Sequence, residues 1–184
     1  ERNYLATYNM LKLAEQINCR RFIFASSMSV YGEISSSGSG GGIGEDHPCK
    51  PVSYYGCHKL ASEHLIRIFV RHTEIRTTSF RFFNVYGPGQ NMNNMKQGMA
   101  SIYMSYLMRD EPVIVKGSLD RFRDFIYVDD VVDVLLMSER YEQTYGEVFN
   151  AGTGKATTVR ELLEAMLQAF GKEEFARWVI VEGS

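Results

Sequence analysis

Cysteine is scarce in this 184-residue chain. Its three cysteines, Cys19, Cys49 and Cys57, form neither a Cys-x-x-Cys pair nor a cysteine–histidine pattern with metal-ligand spacing. A sparse, odd-numbered set argues against a disulfide scaffold and favours a reducing compartment. We therefore expect a cytoplasmic protein. The sequence also lacks an initiator methionine and opens at Glu1 inside a helical pattern, which predicts a piece of a longer protein.

Long apolar runs and an excess of charge of one sign are lacking as well. No apolar stretch approaches the roughly 18 to 20 residues of a membrane-spanning helix, so no membrane contact is expected. The 20 basic and 22 acidic residues leave a formal net charge of −2. This balance offers no basic surface for nucleic acid. The histidines have no ligand-like spacing and predict no metal site: His47, His58, His64 and His72.

Strand and helix patterns alternate along the chain. Residues 21–26 form a short apolar run of the kind that parallel sheets bury, and 77–83 are predicted as a second buried strand. Shorter strands are predicted at 113–116, 125–128 and 146–151. Helices are predicted over 3–17, 53–72, 97–109, from Asp129 onward and over 158–170, with Asp129 and either Thr157 or Thr158 as N-caps. The alternation predicts an α/β fold with a mostly parallel sheet.

Two glycine-rich segments have the composition of phosphate-binding loops but not their context. Gly38, Gly41 and Gly44 have the G-x-x-G-x-x-G spacing. They follow serines rather than a buried strand, however, and no helix begins after them, so their amides would not face a phosphate. We predict a mobile loop over 35–44 without phosphate contact. The segment 152–155, Gly-Thr-Gly-Lys, lacks the other residues of a P-loop.

A tyrosine and a lysine four residues apart, Tyr55 and Lys59, share one face of a predicted helix. The spacing alone is weak, because Tyr8 and Lys12 have it too. Their contexts differ. Tyr55 follows the buried strand that leads to Ser27, and ligands gather beyond the carboxyl ends of parallel strands. We therefore expect Tyr55 and Lys59 to lie near Ser27, and Tyr8 and Lys12 to lie away from it.

These residue types suit the oxidation of a secondary alcohol. A free phenol has a pKa near 10 and is a poor base at neutral pH. A nearby ammonium favours the phenolate and makes a tyrosine a usable general acid and base. A neighbouring serine hydroxyl can orient the substrate hydroxyl whose proton is removed, while the hydride leaves to a nicotinamide.

Six segments carry a family resemblance. Residues 22–32 are Phe-Ile-Phe-Ala-Ser-Ser-Met-Ser-Val-Tyr-Gly, and residues 53–63 are Ser-Tyr-Tyr-Gly-Cys-His-Lys-Leu-Ala-Ser-Glu. The other four lie at 3–9, 81–89, 123–130 and 149–154. Taken in chain order, the six segments resemble those of the extended short-chain dehydrogenase/reductases, in the family of NAD-dependent sugar-nucleotide epimerases and dehydratases. The resemblance covers nearly all of the chain. It implies a partial Rossmann-like sheet, doubly wound and mostly parallel.

The resemblance implies catalytic roles for three residues. Tyr55 would be the acid and base, and Lys59 would stabilise its phenolate and bind the nicotinamide ribose. Ser27 would bind the reacting sugar hydroxyl, with Ser29 as an assistant.

The resemblance also implies binding residues for the cofactor, NAD rather than NADP, and for the nucleotide-sugar substrate. Asn3, Ser26 and Phe82 would join Tyr55 and Lys59 in binding the cofactor. Asn84 and Arg123 would contact the nucleotide diphosphate, Arg123 through the bidentate geometry that suits phosphate.

Some of these residues have a structural alternative. Phe82 could equally belong to the core, and Arg123 could form only a surface ion pair with Asp124. Arg81, inside an apolar strand, is predicted as a buried structural partner rather than a ligand contact.

The family pattern also implies an organisation. Residues 1–90 would be the C-terminal half of an NAD-binding domain whose first strands and glycine loop precede Glu1. Residues 91–184 would form mainly the substrate-binding portion, with 125–150 returning to the sheet. We expect such a chain to bind dinucleotide very weakly by itself and to be inactive alone. The helices over 3–17 and 53–72 would form a homodimer face.

Three functions stay open. An epimerase, acting at C4 of a UDP-hexose or UDP-N-acetylhexosamine, fits best. A 4,6-dehydratase or reductase of the same family is the first alternative. The dehydratases typically carry the segment Thr-Asp-Glu-Val-Tyr-Gly, and Ser27-Met28-Ser29 here takes the places of its Thr-Asp-Glu, so the two carboxylates are lacking. A catalytically silent binding protein on this fold is the second alternative.

Overall fold

The computed structural model describes residues 2–33, 42–95 and 98–183. In chain order, the elements are α1 Arg2–Gln16, β1 Arg21–Ser27, α2 Tyr54–Phe69, β2 Arg76–Phe82, β3 Asn84–Tyr86, α3 Met99–Met108, β4 Val113–Lys116, β5 Phe122–Arg123, β6 Phe125–Tyr127, α4 Val128–Arg140, β7 Val148–Ala151, β8 Thr157–Thr158, α5 Val159–Ala169, α6 Phe175–Trp178 and β9 Val179–Glu182. Within the described ranges every strand pair but β5–β8 is parallel. The predicted α/β class is confirmed.

The chain divides into two compact units. The first consists of Glu1–Phe83 and Asp130–Ala151, and the second of Asn84–Asp129 and Gly152–Ser184. Helix α4 and strand β7 therefore return the chain to the first unit.

The first unit contains a parallel sheet in the order β1-β2-β7. Among the described residues β2 is the only strand neighbour of β1. The register of β1 and β2 places Ser26 beside Arg81 and Ser27 beside Phe82. The carboxyl ends of the two strands therefore coincide.

Two helices cover this sheet with an apolar cluster. Leu11 of α1, Phe24 of β1 and Ile66 of α2 are buried together. Strand β2 differs, because it buries polar side chains along its length: Thr77, Thr78, Ser79 and Arg81. Buried polar groups need hydrogen-bond partners, so the polar strand restricts how its neighbours can pack.

Arg21 provides such partners at the amino ends of the strands. Its Nη2 donates to Thr78 Oγ1 at 2.6 Å, to Ser138 O at 2.9 Å and to Thr144 Oγ1 at 3.0 Å. Burial lowers the pKa of Arg21 from its ordinary value, with the nearby Tyr145 and Glu139 opposing that shift. This arginine joins β1, β2 and the end of α4.

The second unit has short strand pairs around an apolar centre. Strand β3 pairs with β6, β4 with β9 and β5 with β8. Its core is formed by α3, α5, β4 and β9 and contains Tyr103, Leu107, Val113, Val115, Val159, Leu163, Met166, Leu167 and Val179. Helix α5 begins in a capping box, in which Thr158 and Glu161 bond each other's backbone amides. Of the two predicted caps, Thr157 and Thr158, the structure uses Thr158.

The structure differs from the sequence-based predictions in several places. Asp129 was expected to cap its helix, but α4 begins at Val128 directly after β6, so Asp129 lies inside the first turn. That prediction is wrong because strand and helix join without an intervening cap residue. Strands β3, β5, β8 and β9 and helix α6 were not predicted.

Of the glycine loop predicted over 35–44, residues 35–41 lie outside the described residues. No helix in the described ranges is both long and apolar enough to cross a bilayer.

Candidate active site

Ser27 is the last residue of β1 and organises the turn that follows. Its Oγ accepts a hydrogen bond from the Ser29 amide at 3.2 Å, which caps the short helical turn Met28–Val30. The Ser27 hydroxyl donates to Ser29 Oγ at 3.1 Å. Ser27 is buried at 8% exposure. The two predicted serines therefore form one hydroxyl pair at the carboxyl edge of the sheet.

Tyr55 lies in the first turn of α2, which Ser53 caps by accepting from the Gly56 amide at 3.0 Å. Gly56 faces the turn that follows Ser27. A Cβ at Gly56 would lie 2.3 Å from the Ser29 carbonyl oxygen, so only glycine permits this approach. The start of the helix that carries Tyr55 thus packs directly on the turn after Ser27.

Lys59 lies one helical turn beyond Tyr55. Its Nζ is 5.6 Å from the centre of the Tyr55 ring and donates to the Ala25 carbonyl at 2.6 Å. The same ammonium lies 4.9 Å from the centre of the Phe24 ring. Burial lowers the pKa of Lys59 from its ordinary value. The structure therefore holds a cation beside Tyr55 and against the strand, two residues before Ser27.

The second tyrosine–lysine pair has different surroundings. Lys12 forms an exposed salt bridge with Glu15 at 3.1 Å and lies 5.7 Å from the centre of the Phe69 ring. Tyr8 is 41% exposed on α1. The Lys12 ammonium is paired with a surface carboxylate, whereas the Lys59 ammonium donates to a main-chain carbonyl near the strand end.

The predicted cofactor residues lie at different places in the first unit. Phe82 is the strand partner of Ser27 and stacks on Phe80 with ring centres 6.4 Å apart. Ser26 is 2% exposed, and its hydroxyl donates to Glu63, so a cofactor contact would fall to its main-chain atoms. Asn3 lies near the start of α1 with an exposed side chain.

The predicted diphosphate residues belong to the second unit. The Asn84 side-chain amide donates to the Asp124 carbonyl at 2.8 Å. Arg123 is in β5, and its Nη1 donates to the Phe122 carbonyl at 2.8 Å. The Asp124 carboxylate accepts from the amides of Thr153 and Gly154 at 2.9 and 2.7 Å. Asp124 therefore fixes the turn after β7.

Sequence reasoning assigned no role to Glu63, and only a structural one to Arg81. Arg81 donates to both Glu63 oxygens, with Nε–Oε1 at 3.1 Å and Nη2–Oε2 at 2.8 Å. The prediction that Arg81 is a buried structural partner is confirmed. Burial by itself would lower the pKa of Arg81, but the hydrogen bonds that Arg81 donates to Glu63 and Tyr31, together with the Glu63 charge, raise it overall. A sequence signal for Glu63 existed, because it continues the four-residue spacing from Tyr55 through Lys59.

Metal chemistry has no candidate residues in the part of the chain that the structure describes. No group of three or more His, Cys, Asp or Glu side chains there could hold an ion. The polar side chains described above at this edge of the sheet are the Tyr55 phenol, the Lys59 ammonium and the hydroxyls of Ser27 and Ser29.

The comparisons with known proteins point to the same family. The family model described as "NAD dependent epimerase/dehydratase family" matches residues 1–152. A Methanocaldococcus jannaschii protein that carries the provisional name UDP-glucose 4-epimerase is 33% identical over 170 residues, which is 92% of this chain and 53% of that relative. An Escherichia coli dTDP-4-dehydro-6-deoxyglucose reductase is 32% identical over 165 residues, 89% of this chain and 50% of that relative.

A solved structure agrees with these matches. The Thermotoga maritima UDP-glucose 4-epimerase, crystallised with UDP-glucose, superimposes with a TM-score of 0.87 at 30% identity. The match covers 98% of this chain and 56% of that one. The chain thus spans about half the length of the curated relatives it matches.

Proposed function

The chain belongs to the NAD dependent epimerase/dehydratase family, and we propose that the protein containing it epimerises a nucleotide-diphosphate sugar through transient oxidation to a keto sugar. The substrate would be a UDP-hexose or UDP-N-acetylhexosamine, inverted at C4. The principal support is the position of Lys59, whose Nζ lies 5.6 Å from the centre of the Tyr55 ring and is bonded to Ala25, two residues before Ser27.

Three side chains would perform the proton transfer. Tyr55, 45% exposed, would remove the proton from the sugar hydroxyl and later return it. Ser27 would hold that hydroxyl, with Ser29 fixing the serine through their 3.1 Å contact. The Lys59 ammonium would stabilise the phenolate. NAD, when bound, would accept the hydride and give it back to the opposite face of the keto sugar.

The cofactor fits the donors that this region offers. A lysine ammonium has three N–H donors, and the bond to Ala25 uses one of them. The others would be available to the ribose hydroxyls. We assign NAD rather than NADP, with Asn3, the main chain of Ser26 and Phe82 as further contacts.

The substrate's diphosphate would bind to residues of the second unit. We assign this contact to Arg123 and Asn84 on the strength of the family resemblance. Arg123 supplies guanidinium donors suited to phosphate oxygens.

A sugar-nucleotide reductase is the second candidate. Its support is the Escherichia coli reductase at 32% identity. The two activities differ in cofactor balance, because an epimerase regenerates its NAD in each turnover while a reductase consumes one reduced cofactor for each product.

The decisive experiment uses the complete protein that contains this chain. It would be assayed with UDP-glucose, UDP-galactose and the corresponding UDP-N-acetylhexosamines. Tyr55→Phe should lower kcat by on the order of 10² to 10⁴, because the acid and base is lost. Tyr8→Phe is the matched control, with the same spacing to a lysine, and should retain the wild-type kcat. Activity of Tyr55→Phe within a few-fold of wild type would refute the role of Tyr55.

The cofactor balance separates the candidates in the same assay. Epimerisation without net consumption of NAD or NADH supports the first proposal. Stoichiometric NADH oxidation with a 4-keto sugar nucleotide supports the reductase. A folded protein that binds NAD and turns over neither substrate would indicate a silent binding protein.

We further propose a cytoplasmic homodimer whose interface is formed by α1 and α2. These helices pack against each other, and α1 carries exposed apolar side chains at Leu5, Tyr8, Met10 and Leu13, with Ile17 exposed just after its end. Light scattering would test the oligomeric state.

A further inference from the structure

A buried ion pair joins two elements of the candidate active site. Glu63 of α2 and Arg81 of β2 are each 6% exposed. Two parallel hydrogen bonds connect them, at 3.1 and 2.8 Å. Such bidentate pairing fixes orientation as well as distance. The pair therefore determines how the helix that carries Tyr55 and Lys59 is placed on the sheet.

The same ion pair holds both sides of the segment that contains Ser27. Before it, the Ser26 hydroxyl donates to Glu63 Oε1. After it, the Tyr31 hydroxyl accepts from Arg81 Nη1 at 2.9 Å and donates to Asn150 at 2.6 Å. Ser27 and the turn Met28–Val30 are thus fixed at both ends by one pair of charges.

Helix α2 is attached to β1 at two consecutive residues. Tyr55, Lys59 and Glu63 recur every four residues and so share one helix face. Lys59 binds the Ala25 carbonyl, and Glu63 binds the hydroxyl of Ser26, the next residue. These two bonds set the register of Tyr55 relative to the end of β1.

Most of the hydrogen-bond donors of the Arg81 side chain are used inside the protein. A guanidinium has five N–H donors. Arg81 uses one at Nε and one at Nη2 for Glu63, and Nη1 donates to Tyr31 and to the Glu45 carbonyl at 3.0 Å. A cavity of about 200 Å³ borders Glu63 and Arg81, but neither Ser27 nor Tyr55 lines it. The bonds of the pair are directed into the protein.

We propose that Glu63 and Arg81 are positioning residues for the reaction, acting through Ser26 and Tyr31 on Ser27 and through α2 on Tyr55. The inference rests on the proposed function. Its physical reason is that a buried ion pair contributes little net stability compared with apolar packing, since desolvation offsets the attraction. A fixed geometry, by contrast, is worth much to a reaction between closely placed groups.

The test removes single hydroxyl groups that contact the pair. Ser26→Ala and Tyr31→Phe should each lower kcat by about 10- to 100-fold, the cost of a small misplacement of reacting groups. KM for the sugar nucleotide should stay within a few-fold of wild type, because neither hydroxyl binds substrate in this proposal. Thr78→Val is the matched control: it removes a buried hydroxyl from the same sheet, but one bonded to Arg21 and Thr144. It should leave kcat unchanged.

A second readout does not depend on activity. Amide hydrogen exchange of the segment 27–31 should accelerate by about tenfold in Ser26→Ala and Tyr31→Phe, through local opening, and stay unchanged in Thr78→Val. Faster exchange in a protein without epimerase or reductase activity would refute the proposed function but retain the structural coupling. Unchanged exchange and unchanged kcat in both variants, or an equal loss of kcat in Thr78→Val, would overturn the positioning role.

Discussion

In the unit formed by Glu1–Phe83 and Asp130–Ala151, strand β2 buries two threonines, a serine and an arginine. The unit formed by Asn84–Asp129 and Gly152–Ser184 instead buries a continuous apolar cluster around Leu163, drawn from α3, α5, β4 and β9. The two units therefore use different interactions for packing. The first adds buried hydrogen bonds and a buried ion pair to its apolar cluster, whereas apolar contact area dominates the second.

This difference has an energetic meaning. An apolar side chain can repack with modest loss if the total volume is kept. A buried polar group that loses its partner costs its full desolvation. A polar core is therefore sensitive to small displacements and tends to keep one geometry. The unit that contains Ser27, Tyr55 and Lys59 is the one that needs a single geometry for the proposed proton transfer.

The largest expected effect comes from removing one charge of the ion pair. Glu63→Leu leaves the Arg81 guanidinium buried without its counterion and should lower the free energy of unfolding by about 3 to 5 kcal/mol. The double variant Glu63→Leu/Arg81→Met replaces the pair by apolar groups, so it should recover most of that loss. Urea denaturation of the chain measures both.

The kcat of the same variants separates a role in packing from a role in the reaction. In the complete protein, the double variant should keep a low kcat although its stability returns. Recovery of kcat together with stability would mean that the ion pair serves packing alone, and the contrast between the units would then lose its functional meaning.

The sequence predicted the positions of Ser27, Tyr55 and Lys59 in the fold better than the contacts that support them. The apolar run before Ser27 and the helical spacing of Tyr55 and Lys59 are local patterns, so they predict a strand end and a helix face. The bond between Ser26 and Glu63, by contrast, joins residues 37 positions apart. Its existence depends on how α2 lies on β1, which no local pattern determines.

The short strands illustrate the same limit. Strand β5 has two residues and pairs with β8, Phe122 beside Thr158. A two-residue strand is too short to show alternation, and its partner decides whether it forms. The error at Asp129 has a related cause, since a cap requires a non-helical residue before the helix and Tyr127 ends a strand where Val128 begins α4.

A smaller effect is expected in the apolar unit. Leu163 is fully buried, and Leu163→Ala should lower the free energy of unfolding by about 2 to 5 kcal/mol through lost contacts and a residual cavity. Leu163→Met keeps the volume and should cost less than about 1.5 kcal/mol. Below the melting temperature, kcat of the complete protein should stay at the wild-type value in both. A low kcat in folded Leu163→Met would contradict the contrast between the two units.

The smallest effect is expected at the exposed start of α5 and appears as a pH dependence. The Glu161 carboxylate accepts from the Thr158 amide at 2.7 Å and from its hydroxyl at 2.9 Å, and these bonds lower the pKa of Glu161 from its ordinary value of 4.5. Since folding lowers this pKa, the stabilisation is complete above the ordinary value and is lost as the pH falls through the folded-state pKa.

Glu161→Gln keeps an acceptor for the capping box but has no charge to titrate. Thermal denaturation should therefore find wild type more stable than Glu161→Gln at pH 7, with the difference shrinking as the pH falls below the ordinary value of 4.5. A difference that is constant over this range would show that the ionised carboxylate contributes nothing to the cap.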